Sequence, residues 1–493
     1  MRKAFDRQRR LDCPSVAGVP LNFNCRNQTI PILRGLQHIY SRPEVRDSIL
    51  RAIGRDVNGK SKANRGRPGL DYWEILVLAA ARLGCGYDYD QLQDLAENHR
   101  ALRQVMGIGD WQEEEKDRGK FDWRRIRDNL TLLSPETIEK INQTIIEEGH
   151  RLEPKAAETV RADSFVVETN IHYPTDSSLI RDGLRKVLCL AAALAGLFGL
   201  DGWRQHQHLQ RKTKKLVRKI ERIAARKGND YQERLKPPYQ ELLTLADMIC
   251  ARADALRQKV RKKGTGLLEA LALDQDLEGF LQRTRQVCGT ARRRVLGGET
   301  IPNEEKLFSI FETHTQLYKR GKAGEPMQFG RLLLIYEDGA GFITHYHLLP
   351  RDKSDRDVVV QETRKAQKRH QGRIRRGSFD RGFHGPENQK ELAKILQHPC
   401  LPMSGANQAA QQEKTASVAF RDARQSHPGV ESAIAALQSG NGLERCRDRT
   451  ERGFARYIGL GALGRNLHVL GKLLIARESP NCLAAYSRRK PAA

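Results

Sequence analysis

The sequence contains no hydrophobic segment that is long enough to cross a lipid bilayer. Its longest apolar run, residues 187–200, has 14 residues, whereas a membrane-spanning helix needs about 20. The N-terminal residues are basic, but no apolar stretch follows them, so the pattern of a secretory signal is missing. We therefore expect no membrane partner and a cytoplasmic location.

The nine cysteines show no pairing pattern. No two of them form a CxxC pair, and no set of Cys and His residues has zinc-finger spacing. Scattered cysteines in odd number are typical of free thiols in a reducing cytoplasm. The sequence also lacks an internal repeat.

Acidic residues are in deficit, with 60 Asp and Glu against 86 Lys and Arg in 493 residues, a net charge of +26. Hydrophobic residues make up 39% and charged residues 30% of the chain, too apolar for a disordered protein and too polar for a membrane protein. At roughly 100–200 residues per domain, the length allows two to four domains. The positive surplus indicates a polyanionic partner, nucleic acid first, although Lys and Arg can also serve only to solvate a surface.

Half of this surplus lies in one region. Residues 181–300 have a helical pattern and contain 26 Lys and Arg against 13 Asp and Glu, a net +13. In their densest basic run, Leu209, Leu216, Ile220 and Ile223 form an apolar stripe, so the cations would cover the other faces of a helix. Phosphate contact and a merely solvated face both fit this pattern. The candidate DNA contacts are Arg211, Lys212, Lys214, Lys215, Arg218 and Lys219.

The N-terminal part of the chain has three predicted regions. Residues 1–60 show little periodicity and are interpreted as a leader, and residues 61–69 as a basic linker rich in Gly and Pro. Helices are predicted from residues 72, 89 and 101, and Ser134 with Pro135 predicts the start of another. We interpret residues 61–152 as a helical DNA-binding domain. It could be a helix-turn-helix module or a plain small helical bundle.

Strand patterns surround the basic helical region. The order of predicted elements fits an α/β fold, in which three strands of a mixed sheet meander and the others join through helical crossovers. This core would be split, with residues 153–180 and 301–475 interrupted by the helical insertion 181–300 and followed by a tail, 476–493. The strands are predicted at 159–169, 331–336, 342–348, 373–379 and 400–403, and the helices at 358–370, 387–396, 430–437 and 454–474.

Three acids occupy positions that suggest chemistry. Asp163 lies in the middle of the first strand, where Asp is disfavoured unless something else requires it. Asp380 closes the fourth strand, and Glu431 lies in the first turn of a late helix. Carboxylates so placed can converge at one sheet edge and hold two divalent cations, and their hard oxygens select Mg²⁺ or Mn²⁺ over zinc.

Each acid also has an ordinary structural explanation. Asp163 could be an acid on an edge strand, and Asp380, before Arg381 and Gly382, could belong to a turn. Glu431 sits where a helix N-terminus favours negative charge. With 60 acids in the chain, spacing alone leaves both explanations open.

Around these acids the sequence resembles the DDE transposases of bacterial insertion sequences, most closely the ISNCY group. The first similar block is residues 161–179 (RADSFVVETNIHYPTDSSL), and the second is residues 379–388 (FDRGFHGPEN). The third is residues 427–434 (HPGVESAI), followed by 442–446 (GLERC) and 453–460 (GFARYIGL). Gly66-Arg67-Pro68 with residues 76–103 also resembles the family's N-terminal helical domain. The likeness covers about residues 62–474.

The resemblance implies a ribonuclease-H-like core in which Asp163, Asp380 and Glu431 bind the metal ions. Glu444 and Glu451, close downstream, are the alternatives for the third acid. It further implies double-stranded DNA as partner, a homodimer or higher oligomer on DNA, and a nucleoid-associated enzyme that cleaves element ends and joins them to a target. Arg381 and His384, beside Asp380, could contact the scissile phosphate or be surface residues. His172, Tyr173 and Asp176, after the first strand, could line the same edge, with His172 as a candidate DNA contact, or be surface residues.

Three other functions remain open from the sequence. A metal-dependent nuclease on the same core would cut DNA but never join it. A non-catalytic DNA-binding protein would keep the fold and lose its chemistry, although the three acids are present. An RNA-binding protein would use the same positive charge without preference for a terminal DNA sequence.

Overall fold

The computed structural model describes most of the chain in two compact units. The described residues are 3–5, 12–59, 69–109, 121–226, 228, 230–264, 268–319, 327–351, 353–403, 405, 412 and 416–479. Unit 1 comprises Met1–Glu168 and Arg331–Ala493, and unit 2 comprises Thr169–Gly330. The predicted linker 61–69, apart from Gly69 itself, and the end of the predicted tail, 480–493, lie outside the described residues.

The structure is mixed α/β and mostly helical. The helices are α1 (Thr29–Tyr40), α2 (Pro43–Asn58), α3 (Tyr72–Gly84), α4 (Tyr89–Asn98), α5 (Arg100–Val105), α6 (Trp123–Leu130), α7 (Pro135–Leu152), α8 (Asp176–Leu197), α9 (His206–Ala225), α10 (Tyr231–Lys263), α11 (Leu268–Ala291), α12 (Asp355–Arg369), α13 (Pro386–Ile395), α14 (Val418–Ser426), α15 (Gly429–Ala435) and α16 (Glu451–Glu478). In the described ranges, no helix combines the length and the apolar character that a membrane span requires.

Local sequence explains where several helices begin. The Ser134 hydroxyl accepts a hydrogen bond from the Thr137 backbone N–H at 3.2 Å, and Pro135 occupies the first helical position, so the predicted start of α7 is confirmed. At the start of α4, the Asp88 carboxylate accepts from the Gln91 N–H at 2.8 Å. Each such cap satisfies a backbone donor that the helix itself cannot pair.

The strands form a curled mixed sheet. They are β1 (Thr159–Thr169), β2 (Gln316–Tyr318), β3 (Gln328–Asp338), β4 (Ile343–Leu348), β5 (Arg376–Phe379), β6 (His398–Cys400) and β7 (Arg445–Cys446). In unit 1, β3 pairs with both β4 and β1, β5 lies on the other side of β1, and β6 pairs with β5. The β3–β4 pair is antiparallel, and the β1–β5 and β5–β6 pairs are parallel. The predicted mixed sheet is therefore present, with β4, β3 and β1 as neighbours and with β5 and β6 following α12 and α13 in the chain.

One hydrophobic core joins the N-terminal helices of unit 1 to its sheet and to α16. Helix α16 is buried on nearly all sides, and its Asn466 is fully buried among apolar residues. The Asn466 amide accepts a hydrogen bond from the Ile343 N–H at 2.8 Å and donates to Asn142 at 3.1 Å. These bonds connect α16 to β4 and to α7, because a buried amide needs partners for both its donor and its acceptor.

The N-terminal region differs from its sequence interpretation. Residues 1–60, interpreted as a leader, contain α1 and α2, and apolar residues of both helices belong to the core of unit 1. Helix α3 belongs to the same core. Periodicity near residue 30 is weak because α1 is buried on most of its surface, which removes the contrast between an apolar and a polar face.

Unit 2 is built mainly from four helices, α8 to α11, around a core of its own. The helices run from residue 176 to 291, close to the helical insertion predicted at 181–300. Strand β2 pairs antiparallel with residues 328–330, the first three of β3. The predicted interruption of the strand pattern by a helical segment is therefore present, with unit 2 extending beyond it on both sides.

Candidate active site

Asp163 of β1 lies beside the end of the parallel strand β5, which Asp380 directly follows. Ala162 of β1 is the register partner of Phe379 of β5, and each is followed directly by one of the two aspartates. Residues that share a register position in adjacent strands point to the same face of a sheet, and neighbouring strands are about 4.8 Å apart. The two carboxylates therefore share one face at one point of the sheet.

Helix α15, which contains Glu431, follows a turn that covers this same face. Arg161 and Ser378 are register partners two positions before the aspartates, so their side chains point to that face as well. Arg161 Nη1 donates a hydrogen bond to the carbonyl oxygen of Ser426 at 3.2 Å, and His427 Nδ1 lies 3.1 Å from Ser378 Oγ. Two bonds thus attach the start of α15 to the two strands that carry the aspartates.

The environment of His427 connects Asp380 with Glu431. Burial lowers the pKa of His427, while the negative charges of Asp380 and Glu431 oppose this shift. Both carboxylates therefore lie within electrostatic range of one imidazole. Because its pKa is below the ordinary value near 6.5, His427 is neutral at pH 7 and can take part in the Ser378 hydrogen bond without adding positive charge.

A buried ion pair holds Arg161 in place. Its Nη2 donates to Glu337 Oε2 of β3 at 2.7 Å, and Arg465 Nη2 of α16 lies 3.8 Å from the other carboxylate oxygen. Burial raises the pKa of Glu337, and the two guanidinium groups oppose that rise. The pair leaves Arg161 Nη1 to hold the turn before α15, since the rigid guanidinium fork can bind two acceptors at once.

The three acids differ in exposure, and all of them can be reached by solvent. Asp380 and Glu431 are exposed, whereas Asp163 is half-buried and its Oδ1 accepts a hydrogen bond from the Ser164 N–H at 2.7 Å. Among the described residues, no three His, Cys, Asp or Glu side chains are gathered closely enough to form a metal site. The structure thus places the two aspartates on one face of the sheet and Glu431 on the helix that follows the turn bound to that face, without gathering the three acids around a common point.

The two other candidates beside Asp380 lie in the turn that follows β5. Arg381 is exposed and opens a single 3₁₀ turn, Arg381–Phe383, whereas His384 is half-buried just after it. The His384 N–H donates to the Arg381 carbonyl oxygen at 3.0 Å. Both residues are therefore close to Asp380 along the chain, at the exposed end of β5.

The alternative third acids occupy other places in unit 1. The Glu444 carbonyl oxygen accepts a hydrogen bond from the Glu168 N–H at 3.0 Å, so Glu444 lies beside the far end of β1. Glu168 lies five positions after Asp163 on β1, or about 16 Å along the strand. The Glu451 carboxylate, at the start of α16, accepts from Arg331 Nη1 of β3 at 3.1 Å.

The candidates after the first strand belong to unit 2 and have partners there. His172 Nε2 lies 2.7 Å from Asp182 Oδ2, and Asp176 accepts a hydrogen bond from Arg294 Nε at 2.7 Å. Tyr173 is exposed, and its ring packs edge-to-face on Phe329 with 5.5 Å between centroids. These contacts give the three residues structural roles within unit 2.

The basic run forms an exposed surface on α9. Leu216 and Ile220 are buried, as the predicted apolar stripe requires, and Thr213 and Val217 are buried with them. The six candidate cations are all exposed and form no ion pair within the described part of the chain; they are Arg211, Lys212, Lys214, Lys215, Arg218 and Lys219.

Sequence reasoning did not assign roles to Arg161 and His427, although both stand in the blocks that carry the resemblance. A periodic signal existed for each of them. Arg161 precedes Asp163 by two residues, which is the spacing of one face of a strand, and His427 precedes Glu431 by four, which is the spacing of one face of a helix. No known protein-family model matches the chain, and no curated protein or solved structure shows significant similarity to it.

Proposed function

We propose that this protein is a DNA transposase of the DDE type, which cleaves the ends of an insertion element and joins the 3′-OH to target DNA. The observation that carries the proposal is that Asp163 and Asp380 each directly follow one residue of the same register pair in two parallel strands, on the face to which the turn before α15 is bound. Acids that serve only a turn or an exposed strand edge have no reason to share a face.

The sheet supports a ribonuclease-H-like core. Its antiparallel β3–β4 hairpin lies on one side of β1, and the parallel strands β5 and β6 lie on the other. The central strand β1 therefore carries Asp163, and its parallel neighbour ends directly before Asp380. The helical segment α8–α11 interrupts the chain between β1 and β3, as the resemblance implies for an insertion in this core.

Glu431 is the best-supported third acid. It shares with Asp380 an electrostatic influence on His427, which lies against the aspartate-bearing strand. Glu444 lies near the opposite end of β1, and the carboxylate of Glu451 is paired with Arg331. Of the three glutamates, Glu431 is therefore our choice for the third ligand.

The donor chemistry fits divalent magnesium or manganese. Asp163, Asp380 and Glu431 offer only carboxylate oxygens, which are the ligands that these hard cations prefer. Two exposed carboxylates leave room for a substrate phosphate and for water. When bound, two such ions would supply activation of the attacking oxygen and stabilisation of the leaving oxygen. Arg161 and His427 would act as positioning residues that fix α15 relative to the strands.

The charge distribution supports double-stranded DNA as the partner. The chain carries a net charge of +26, and the exposed cations of α9 have no carboxylate partners among the described residues. Phosphate neutralisation by Lys and Arg supplies most of the affinity of a DNA-binding surface. A dimer or higher oligomer belongs to this proposal, because two element ends must be handled together.

The test uses the DNA that flanks the reading frame, incubated with the full chain, Mg²⁺ and a target plasmid. We expect cleavage at both ends and joined products from the wild type, and neither from Asp163→Asn, Asp380→Asn or Glu431→Gln with DNA binding retained. Glu444→Gln is the matched control, because it neutralises an exposed glutamate next to the far end of β1 and should stay active.

Each other outcome assigns a different function. Unchanged cleavage by Asp163→Asn would refute the catalytic assignment. Cleavage without joined products would identify a nuclease, and sequence-specific DNA binding without either reaction would identify a non-catalytic DNA-binding protein. Loss of activity in Glu444→Gln with an active Glu431→Gln would move the third carboxylate to Glu444.

A further inference from the structure

Unit 2 contains a polar cleft between α8 and α9 with a volume of about 650 Å³. Four cations line it, Arg181 and Arg185 from α8 and Arg211 and Lys214 from α9. The spacing of each pair, four residues on α8 and three on α9, places its members on one face of the helix. The two helices thus turn their basic faces toward a shared space.

The charge of this cleft is not balanced by the protein. Asp182 is the acid among the described lining residues, and it is already engaged by His172 at 2.7 Å and Arg181 at 3.7 Å. Arg185, Arg211 and Lys214 form no ion pair with any described residue. Grouping like charges costs free energy unless an anion or solvent screens them.

Neighbouring groups restrict the cations and the helices that carry them. The guanidinium of Arg185 lies over the ring of Phe311, 5.7 Å from its centroid. Gln210, between the two cations of α9, reaches Cys189 Sγ of α8 at 3.2 Å, which connects the two helices across the cleft. A cation that is already oriented loses less side-chain entropy when it binds an anion.

The basic face extends beyond the cleft along α9. Arg211, Lys214, Arg218 and Arg222 follow one another at intervals of three or four residues, and all four are exposed. At 1.5 Å per residue, this row is about 16 Å long. A single phosphate group would meet only one end of such a row, whereas the phosphates of a nucleic-acid backbone would meet cations along all of it.

We propose that the α8–α9 cleft and the adjoining row on α9 bind backbone phosphates of double-stranded DNA. The inference rests on the proposed function for the identity of the polyanion. The proposed surface includes Arg181 and Arg185 of α8 in addition to the cations of α9. It belongs to unit 2 and contains no residue of the acid-bearing face.

The test measures the affinity of the full chain for a random-sequence DNA duplex as a function of salt concentration. Each phosphate contact contributes about 0.9 to the slope of log K against log salt, so Arg185→Gln with Lys214→Gln should reduce its magnitude by about 1.8. The matched control is Lys262→Gln with Lys263→Gln, which removes the same charge from exposed positions on α10. This control should leave the slope close to that of the wild type.

Equal slopes for the wild type and the cleft variant would overturn the inference. Equal reductions of the slope in the cleft variant and in the control would overturn it as well. Preferential binding of duplex RNA, or full displacement of the duplex by millimolar inorganic phosphate, would also overturn it. These results are independent of cleavage. A cleft variant that loses DNA affinity supports the inference even if the wild type proves unable to cut, and an unchanged slope leaves the cleavage test intact.

Discussion

Nδ1 of the buried His427 ring lies 3.1 Å from the hydroxyl oxygen of Ser378. Ser378 precedes Asp380 by two residues on β5, and His427 precedes Glu431 by four at the entry to α15. One hydrogen bond therefore connects the strand that carries an aspartate to the helix that carries the glutamate. The relative position of two of the proposed metal ligands depends on this contact.

Removal of the His427 ring should lower the rate of DNA cleavage without weakening DNA binding. A displacement of about 1 Å at a reacting group can cost roughly 100-fold in rate, so we expect His427→Ala to lower kcat by about 10- to 100-fold. His427→Asn keeps a nitrogen near the position of Nδ1 and should recover part of the loss. Single-turnover cleavage and DNA titration of the same variants measure the two effects separately.

Two results would contradict this prediction. One is a His427→Ala protein with a normal cleavage rate, and the other is a loss of DNA affinity that accounts for the whole reduction. Thermal unfolding provides the control for folding, because His427 is buried and its removal also leaves a small cavity.

Loss of Arg161 should destabilise unit 1 through its partner Glu337. The Glu337 side chain is only 4% exposed, so Arg161→Met leaves a buried carboxylate with the weaker contact to Arg465. Breaking such a pair typically costs about 3–5 kcal/mol. Denaturant unfolding of Arg161→Met, Glu337→Gln and the double variant measures the coupling.

The double variant should be more stable than Arg161→Met alone, because Glu337→Gln removes the buried charge. Additive losses would show that the two side chains act independently. Cleavage by the double variant should stay low, since the bond from Arg161 to the Ser426 carbonyl is still missing.

The sequence predicts the strands of the acid-bearing face better than it predicts the contacts around them. β1 spans Thr159–Thr169 as its β-branched residues indicate, and β5 ends directly before Asp380 as expected. These features depend on local composition, which a single sequence shows directly. The register that places Asp163 beside Asp380 depends on hydrogen bonds between strands more than 200 residues apart, for which one sequence contains no signal.

The burial of α1 could not be predicted for a related reason. Gly35 of α1 and Gly471 of α16 lie at a helix crossing, where a Cβ atom on Gly471 would come within 1.7 Å of the Pro31 carbonyl oxygen. Such a glycine is recognisable only when its neighbour is known. From the sequence alone, both residues are only glycines with a low helix propensity.

The space around two helical glycines predicts opposite effects of alanine on stability. A Cβ atom on Gly464 of α16 would lie 2.4 Å from the backbone of Gly84 in α3, so Gly464→Ala should force the helices apart and cost at least about 1–3 kcal/mol. Gly289 of α11 has no atom within 4 Å of such a Cβ. Gly289→Ala should therefore stabilise unit 2 by about 0.5–1 kcal/mol.

Thermal unfolding of the two alanine variants, each compared with the wild type, measures both effects. A neutral Gly464→Ala would mean that α3 and α16 can separate at no cost, contrary to their close packing. A destabilising Gly289→Ala would mean that open space around a helical glycine does not decide whether alanine stabilises or destabilises the protein.

Acid should destabilise unit 1 through His370. Burial, together with the positive charges of the neighbouring His150 and Arg373, lowers the pKa of His370 to about 3. The hydrogen bond between Nδ1 and the Ala157 carbonyl oxygen, at 3.2 Å, raises the pKa, but burial outweighs it and the folded ring stays neutral. The unfolded chain binds a proton at a pKa near 6.5, whereas the folded chain does not, so stability falls as the pH drops from about 6.5 towards 3.

For this one group the loss is at most about 1.4 kcal/mol per pH unit. Urea unfolding between about pH 7.5 and pH 5 should show a steeper decline for the wild type than for His370→Gln, which has no ring to protonate. The exposed His398→Gln is the matched control and should follow the wild type. The wild type is also expected to decline through His345, whose pKa burial lowers as well, so the informative quantity is the difference between the two slopes. Parallel curves for His370→Gln and the wild type would show that His370 does not contribute to the acid sensitivity of the fold.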